Sequence, residues 1–581
     1  MKFLQPYIRK HWKMFCIAVL FLTFEAICDL LQPTILSKII DVGVAQNQMD
    51  YVLRMGGLML LITLFGAISA SLRSIIASKV SQKFAAELRV DLFRKIQSLS
   101  FENIDQFERA SLITRLTNDV TQVQNFVNGL MRIFVKAPLI CIGSLIMAVR
   151  LNMQLSVVLI VVVPLVAIFI LLNMKIGFPF FVRVQQALDR VNLVMREYLS
   201  GVRVVKAFNR FDVEVEKFDQ ANQEFRARST TAMRVMSVIS PQIALVVNLG
   251  IIAVLWIGGW RVDQGQMQVG HIIAFINYMT QILFSLMMIS MIFNMFVRAR
   301  ASAERIDEVF MQHNTMTWSE TTKTATTAKG RVDFENVSFA YAGTSGDPVL
   351  KSLTFSCLPG QTIGIIGSTG AGKSSLIHLI PRFYDTTSGT VRVNGEDVRQ
   401  WDPKKLREKI AIVPQKTVLF SGSVLQNIRY GKEDATPQEV EDAAKIAEAH
   451  SFIMASPEGY ESRIGQGGVN FSGGQKQRLS IARALVRQPE ILILDDCTSA
   501  VDVATEANIK AALKTYASGL TCLLIAQRIT SVMDADRILV LDDGEIVGMG
   551  THEELMLNCT VYQEIFQSQL GKEMDKHVAG R

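Results

Sequence analysis

The sequence predicts an α-helical transmembrane domain of six spans with long cytoplasmic helical extensions, followed by an α/β domain built on a phosphate-binding loop. Three observations predict it. Apolar residues gather in six long stretches of the first half. The polar segments between those stretches alternate short and long, and the long ones hold most of the Lys and Arg. Past residue 330 the pattern changes to short β-rich runs alternating with helices, and one strand-to-helix joint is rich in glycine.

Composition supports this division. A chain of 581 residues is too long for one core. With 49% hydrophobic and 19% charged residues, and a mean hydropathy of +0.27, it is not an ordinary soluble protein. The net charge of +7 is spread along the chain rather than gathered in a stripe, so no nucleic-acid partner is expected. Seven cysteines without CxxC or CxxH spacing indicate neither a disulfide framework nor a zinc site.

Residues 1–13 mix Phe3, Leu4, Tyr7, Ile8 and Trp12 with Lys2, Arg9, Lys10 and Lys13, which predicts a helix lying on the membrane surface. The first apolar run is too long for a cleaved signal and has no small-residue cleavage site behind it, so it is expected to remain as a span. The membrane domain is expected over 14–310, with spans near 14–40, 52–76, 129–149, 154–174, 235–259 and 272–297. The segments after spans two and four carry Arg73, Lys79, Lys83, Arg89, Arg94, Lys175, Arg183, Arg190 and Arg196, among others. The short connections offer little beyond Arg150 and Arg261, which puts the long segments and both termini in the cytoplasm of a multi-pass cell-membrane protein. Apolar residues recur there at helical spacing (Phe84, Leu88, Leu92, Ile96, Leu99), so the spans should continue as helices beyond the bilayer. Glu25 and Asp29 share a face inside span one, either as interhelically paired carboxylates or as a site for cationic substrates. Met279, Phe284, Met287, Met288, Met291, Phe293, Met295 and Phe296 could form an adaptable apolar cavity or simply pack helices.

A Thr- and Lys-rich linker over 311–330 leads to the α/β domain at 331–572, and a tail at 573–581 follows. Here Gly367-Ser368-Thr369-Gly370-Ala371-Gly372-Lys373-Ser374-Ser375 follows the apolar strand 362–366 and opens a helix, which is the phosphate-loop pattern in its required context. Glycines let backbone N–H groups wrap phosphates, Lys373 reaches the β- and γ-phosphates, and Ser374 can ligate Mg2+. About 120 residues later the strand 491–494 ends at Asp495, which is positioned to share that cation. Together the two motifs specify an ATPase using ATP and Mg2+.

Between them lies Phe471-Ser472-Gly473-Gly474-Gln475-Lys476-Gln477-Arg478, which resembles the signature of ABC transporters. Other elements of that family appear in order: Tyr341 as the adenine-stacking aromatic, Gln415 as the Q-loop and metal contact, and Ser499-Ala500-Val501-Asp502 as the D-loop. In the first half, Leu112 to Val120 and Glu197 to Phe208 look like the regions of the two coupling segments of exporters. The resemblance covers nearly the whole chain and implies a half-exporter, with two chains sandwiching two ATP molecules. Each ATP is then held by the phosphate loop of one chain and by Ser472, Gly473, Gly474 and Gln475, with Asp502 nearby, of the other.

The sequence also departs from the family pattern. Where competent members carry Glu as the base, this chain has Asp496, shorter by one methylene, and a misplacement of about 1 Å can cost about a hundredfold in rate. The switch histidine is replaced by Gln527. This combination resembles the degenerate-site subunit of bacterial heterodimeric multidrug exporters. It implies a heterodimer with a second ABC half-transporter, lipid contacts, and a hydrophobic small-molecule substrate. A homodimeric lipid or peptide exporter and an ATP-gated regulatory subunit are the alternatives.

Overall fold

The computed structural model describes residues 2–316, 329–342, 347–516 and 519–571. Most of the expected linker 311–330, residue 572 and the tail 573–581 lie outside the described residues. The chain divides into two units: Met1–Gln97 with Arg109–Gln312, and Ser98–Glu108 with His313–Arg581.

Unit one holds six helical stretches long and apolar enough to cross a membrane: Gln5–Val44, Met49–Ser98, Arg109–Leu151, Ser156–Ala207, Phe211–Asp263 and Val269–Met311. At 1.5 Å per residue, about 20 residues cover the hydrocarbon core, so stretches of 40 to 53 residues extend well beyond it. The extensions predicted from the helical spacing are therefore present. Of residues 1–13, expected as a surface helix, those from Gln5 onward belong to one helix that runs over Gln5–Lys38, with Pro6 in its first turn, where a missing N–H costs nothing. Large apolar side chains such as Leu60, Leu171 and Trp256 are exposed on these helices, as expected where acyl chains are the solvent.

Glu25 and Asp29 are paired. Arg73 Nε donates to Glu25 Oε2 at 2.7 Å, Lys136 Nζ reaches Glu25 Oε1 at 2.5 Å, and the same ammonium meets Asp29 Oδ2 at 3.0 Å. Arg73, counted by sequence among cytoplasmic cations, is instead buried against the first helix. Met279 is buried in the packing of the fourth, fifth and sixth helices, whereas Phe284, Met287, Met291 and Phe293 are exposed. Leu112 to Val120 ties the third helix to the sixth within unit one: Asp119 accepts from Arg305 and from Ser302, and Arg115 pairs with Glu308. The segment of the first half that belongs to unit two is Ser98–Glu108, ahead of the expected coupling region. Its short helix Phe101–Asp105 sets the Phe101 ring 4.8 Å from that of Phe383, and Asp105 accepts from Tyr384 at 2.6 Å.

Unit two contains strands β1 Val332–Phe339, β2 Leu350–Cys357, β3 Thr362–Gly367, β4 Ser388–Val393, β5 Glu396–Asp397 and β6 Ile410–Val413. They are followed by β7 Gly422–Ser423, β8 Arg463–Ile464, β9 Ile491–Asp495, β10 Thr521–Ile525, β11 Arg537–Asp542 and β12 Glu545–Gly550. The main sheet has the order β12-β11-β3-β10-β9-β6 and is parallel except at the β12 edge. The antiparallel sheet has the order β2-β1-β4-β5. Alternation along the parallel strands feeds two cores. Ile491, Ile493, Leu523 and Ile525 enter one core, and Leu492, Leu494, Cys522 and Leu524 enter the other. A sheet buried on both faces explains why these strands read as unbroken apolar runs.

Candidate nucleotide-binding site

The carboxyl ends of β3, β9 and β10 are neighbours in the parallel sheet, so the loops that follow them converge. This is where open α/β sheets place ligands. The loop after β3 turns into the helix Lys373–Leu379 through Gly372, whose φ of +90° suits glycine and strains other residues. Lys373 folds back on the loop, donating to Gly367 O at 2.8 Å and to Ser368 O at 2.7 Å. Burial lowers its pKa, opposed by the nearby carboxylates of Asp496 and Asp495. The ammonium is thus partly desolvated, and its hydrogen bonds among the described residues go to carbonyl oxygens.

Ser374 Oγ donates to Asp495 Oδ1 at 3.3 Å. Burial raises the Asp495 pKa, and the Ser374 bond opposes that rise. A hydroxyl beside a desolvated carboxylate, with the Gln415 carboxamide in the same site, is an all-oxygen donor set that fits Mg2+. Among the described residues no group of three His, Cys, Asp or Glu could hold a metal alone. The cation would therefore need phosphate oxygens to complete its shell, as Mg2+ does in phosphoryl-transfer sites.

Asp496 follows in a left-handed conformation, with φ +47°, and is buried. Two carboxamides converge on one of its oxygens: Gln415 Nε2 donates to Oδ2 at 3.0 Å, and Gln527 Nε2 donates to the same Oδ2 at 2.9 Å. The shortened base Asp496, the Gln527 that replaces the switch histidine and the Q-loop Gln415 are therefore in direct contact. Tyr341 bonds through its hydroxyl to Ser375 Oγ at 3.0 Å and sets its ring edge-on to Tyr384, with centroids 5.2 Å apart.

The signature belongs to a different part of the unit. Ser472 is the N-cap of the helix Gly473–Leu485, in a reciprocal capping box with Gln475: Ser472 N donates to Gln475 Oε1 at 2.9 Å, and Gln475 N to Ser472 Oγ at 3.3 Å. Gly474 lies against the D-loop, where a Cβ would come within 2.9 Å of Ala500 O. Asp502 caps the helix Val503–Tyr516 by accepting from Thr505 N at 2.9 Å, and that bond holds its carboxyl below the usual range. Among the described residues, Ser472 to Gln475 bond to one another rather than to the phosphate loop. Sequence reasoning missed Gln477, which bonds both Ser499 and Ala500, and Tyr384, which bonds Asp105. A cap at Ser100, accepting from Asn103 N, was the local signal for the short helix carrying Asp105.

Comparison with known proteins agrees with this geometry. Residues 15–287 match the family model of the ABC transporter transmembrane region, and 350–499 match that of the ABC transporter domain. The chain is 40% identical over 573 residues to the uncharacterised ABC transporter ATP-binding protein YfiB of Bacillus subtilis, covering 99% of this chain and 98% of that one. It is 34% identical over 484 residues to a fatty acid ABC transporter ATP-binding/permease protein of Mycobacterium tuberculosis, covering 83% of this chain and 76% of that protein. Among solved structures, a bacterial Atm1-family ABC exporter with ATP bound superposes with a TM-score of 0.80 at 26% identity, covering 96% of this chain and 99% of that chain.

Proposed function

The chain belongs to the ABC transporter family and has the exporter plan of a membrane part fused to an ATP-binding part, and on that premise we propose that it carries the slow ATP site of a heterodimeric exporter. The observation that carries this reading is the double carboxamide hold on Asp496 Oδ2. With that oxygen occupied by two donors, only Oδ1 remains to accept a proton from water, and the carboxylate is already short by one methylene. Gln527 satisfies its N–H on Asp496, and as a neutral amide it cannot supply the charge of a histidine near the γ-phosphate.

Each residue has a physical task in this reading. Tyr341 offers a ring face to adenine, its hydroxyl fixed by Ser375. Lys373 exchanges two carbonyl oxygens for phosphate oxygens, an exchange favoured because phosphate is charged. Ser374, Asp495 and Gln415 would hold Mg2+, which would supply charge neutralisation at the phosphates. Ser472 and the amides of Gly473 and Gly474, at a helix start, face the γ-phosphate bound by the partner chain. The signature is thereby spent on the partner's competent site. ATP held here keeps the two chains together between cycles. The cargo is a hydrophobic or amphipathic compound, a class that includes both drugs and the fatty acids named for the mycobacterial relative. The exposed Phe284, Met287 and Met291 support that class.

Replacing Lys373 by Ala tests the site. Charge-assisted hydrogen bonds of about 1.5–3 kcal/mol predict a loss of roughly ten- to a hundredfold in labelling of this chain by photoreactive azido-ATP. The partner's labelling and part of its turnover should survive in the co-purified complex. Unchanged labelling of this chain would show that the loop does not hold nucleotide.

A further inference from the structure

Gln477 lies one turn into the signature helix Gly473–Leu485 and is 5% exposed. Its carboxamide points to the D-loop rather than to the signature surface. Oε1 accepts from Ala500 N at 3.0 Å, and Nε2 donates to Ser499 Oγ at 3.4 Å. Ser499 Oγ in turn donates to the carbonyl oxygen of Asp496 at 3.1 Å. A second contact joins the same two elements, since Gly474 leaves no room for a Cβ beside Ala500 O. The first turn of the signature helix is thus tied to the D-loop by packing and by two hydrogen bonds, and the D-loop is tied to the backbone of Asp496. Asp496 sits there with a φ of +47°, a conformation that holds only while its surroundings define it.

We propose that Gln477 is a positioning residue that transmits the state of the signature surface to Asp496, so that ATP on the partner's phosphate loop, facing Ser472, governs how this chain's own site holds and releases nucleotide. The inference rests on the reading that the signature completes the partner's site. It goes further by assigning a short path, from Ser472 along the helix to Gln477 and then by hydrogen bonds to Ser499 and Asp496, between two sites that share no ligand. Gln477 needs no contact with either nucleotide. A buried amide between two backbone segments suits the task, because losing either bond leaves a desolvated polar group behind and the elements therefore move together.

A double-mutant cycle tests this on the complex purified through this chain with its native partner, loaded with azido-ATP and chased with unlabelled ATP. Ser472→Ala should speed release from this chain's own site by about fivefold or more, the low end of ordinary coupling between sites. In a Gln477→Leu background the same Ser472 change should alter release by less than about twofold, because the link is already cut. Ser499→Ala cuts the next bond and should give the same loss of coupling. Gln477→Glu keeps an acceptor for Ala500 N and serves if Gln477→Leu does not fold; it should weaken the coupling without abolishing it. A full Ser472 effect in both the Gln477→Leu and Ser499→Ala backgrounds would overturn the proposal, since the sites would then communicate only through opening of the dimer. No Ser472 effect in the otherwise unaltered complex would overturn it as well. Release from this chain as fast as from the partner would contradict the slow-site reading instead, and the cycle would still decide the role of Gln477.

Discussion

Each unit contains a pair of neighbouring carboxylates in a place that punishes charge, and the two pairs are held in opposite ways. In the membrane-spanning unit, Glu25 and Asp29 meet the fixed cations Arg73 and Lys136. In the nucleotide unit, Asp495 and Asp496 accept hydrogen bonds from the neutral donors Ser374, Gln415 and Gln527, while the nearby Lys373 ammonium bonds to loop carbonyls instead. Fixed cations cancel the charge and close the site, which suits a tie between helices in a bilayer. Neutral dipoles hold a carboxylate in place without cancelling it, so the charge remains available for a cation brought by a ligand. How carboxylates are held, rather than their number, separates a structural cluster from a binding site.

The largest effect is expected in the membrane unit. Arg73→Ala leaves Glu25 with one partner in a buried position, and breaking such a pair typically costs about 3–5 kcal/mol. The variant should show a large fall in thermal stability of the detergent-solubilised chain, and the double variant Arg73→Ala, Glu25→Ala should recover much of it. Equal stability of wild type and Arg73→Ala would mean that the pair is not formed. The smallest prediction concerns Asp29, whose side chain is 36% exposed and which shares Lys136 with Glu25. Asp29→Asn should cost less than about 1 kcal/mol in the same thermal scan. A loss as large as that from Arg73→Ala would place Asp29 at the centre of the cluster instead of its rim.

These two regions were not equally legible in the sequence. Spans, strands and the phosphate loop declare themselves through local pattern: apolar length, alternation, and glycines between a strand and a helix. The capping box that shapes the signature is equally local, since Ser472 and Gln475 are three residues apart. Glu25 and Asp29 could be seen to share a face, but not that Arg73 and Lys136, 48 and 111 residues away from Glu25, would close on them. Arg73 looked cytoplasmic because charge near a span end is normally solvated. Gln477 was invisible for the same reason, as its partners Ser499 and Ala500 lie 22 and 23 residues on and only the fold brings them within reach. The short helix Phe101–Asp105 was not legible either, because a single helical turn is too short to leave a period.

The reading of the nucleotide unit turns on whether Asp496 is a working base, and steady-state ATPase of the purified complex addresses it. If two carboxamides on Oδ2 and a shortened side chain already keep Asp496 from orienting water, Asp496→Asn removes little, and the rate should fall by no more than about twofold. Neutralising the corresponding carboxylate of the partner to its amide should lower the rate by about a hundredfold or more, because that base carries the flux. The two variants, measured side by side at saturating ATP, should therefore differ widely; an equal, near-complete loss from both would contradict the account and make Asp496 a full catalytic base.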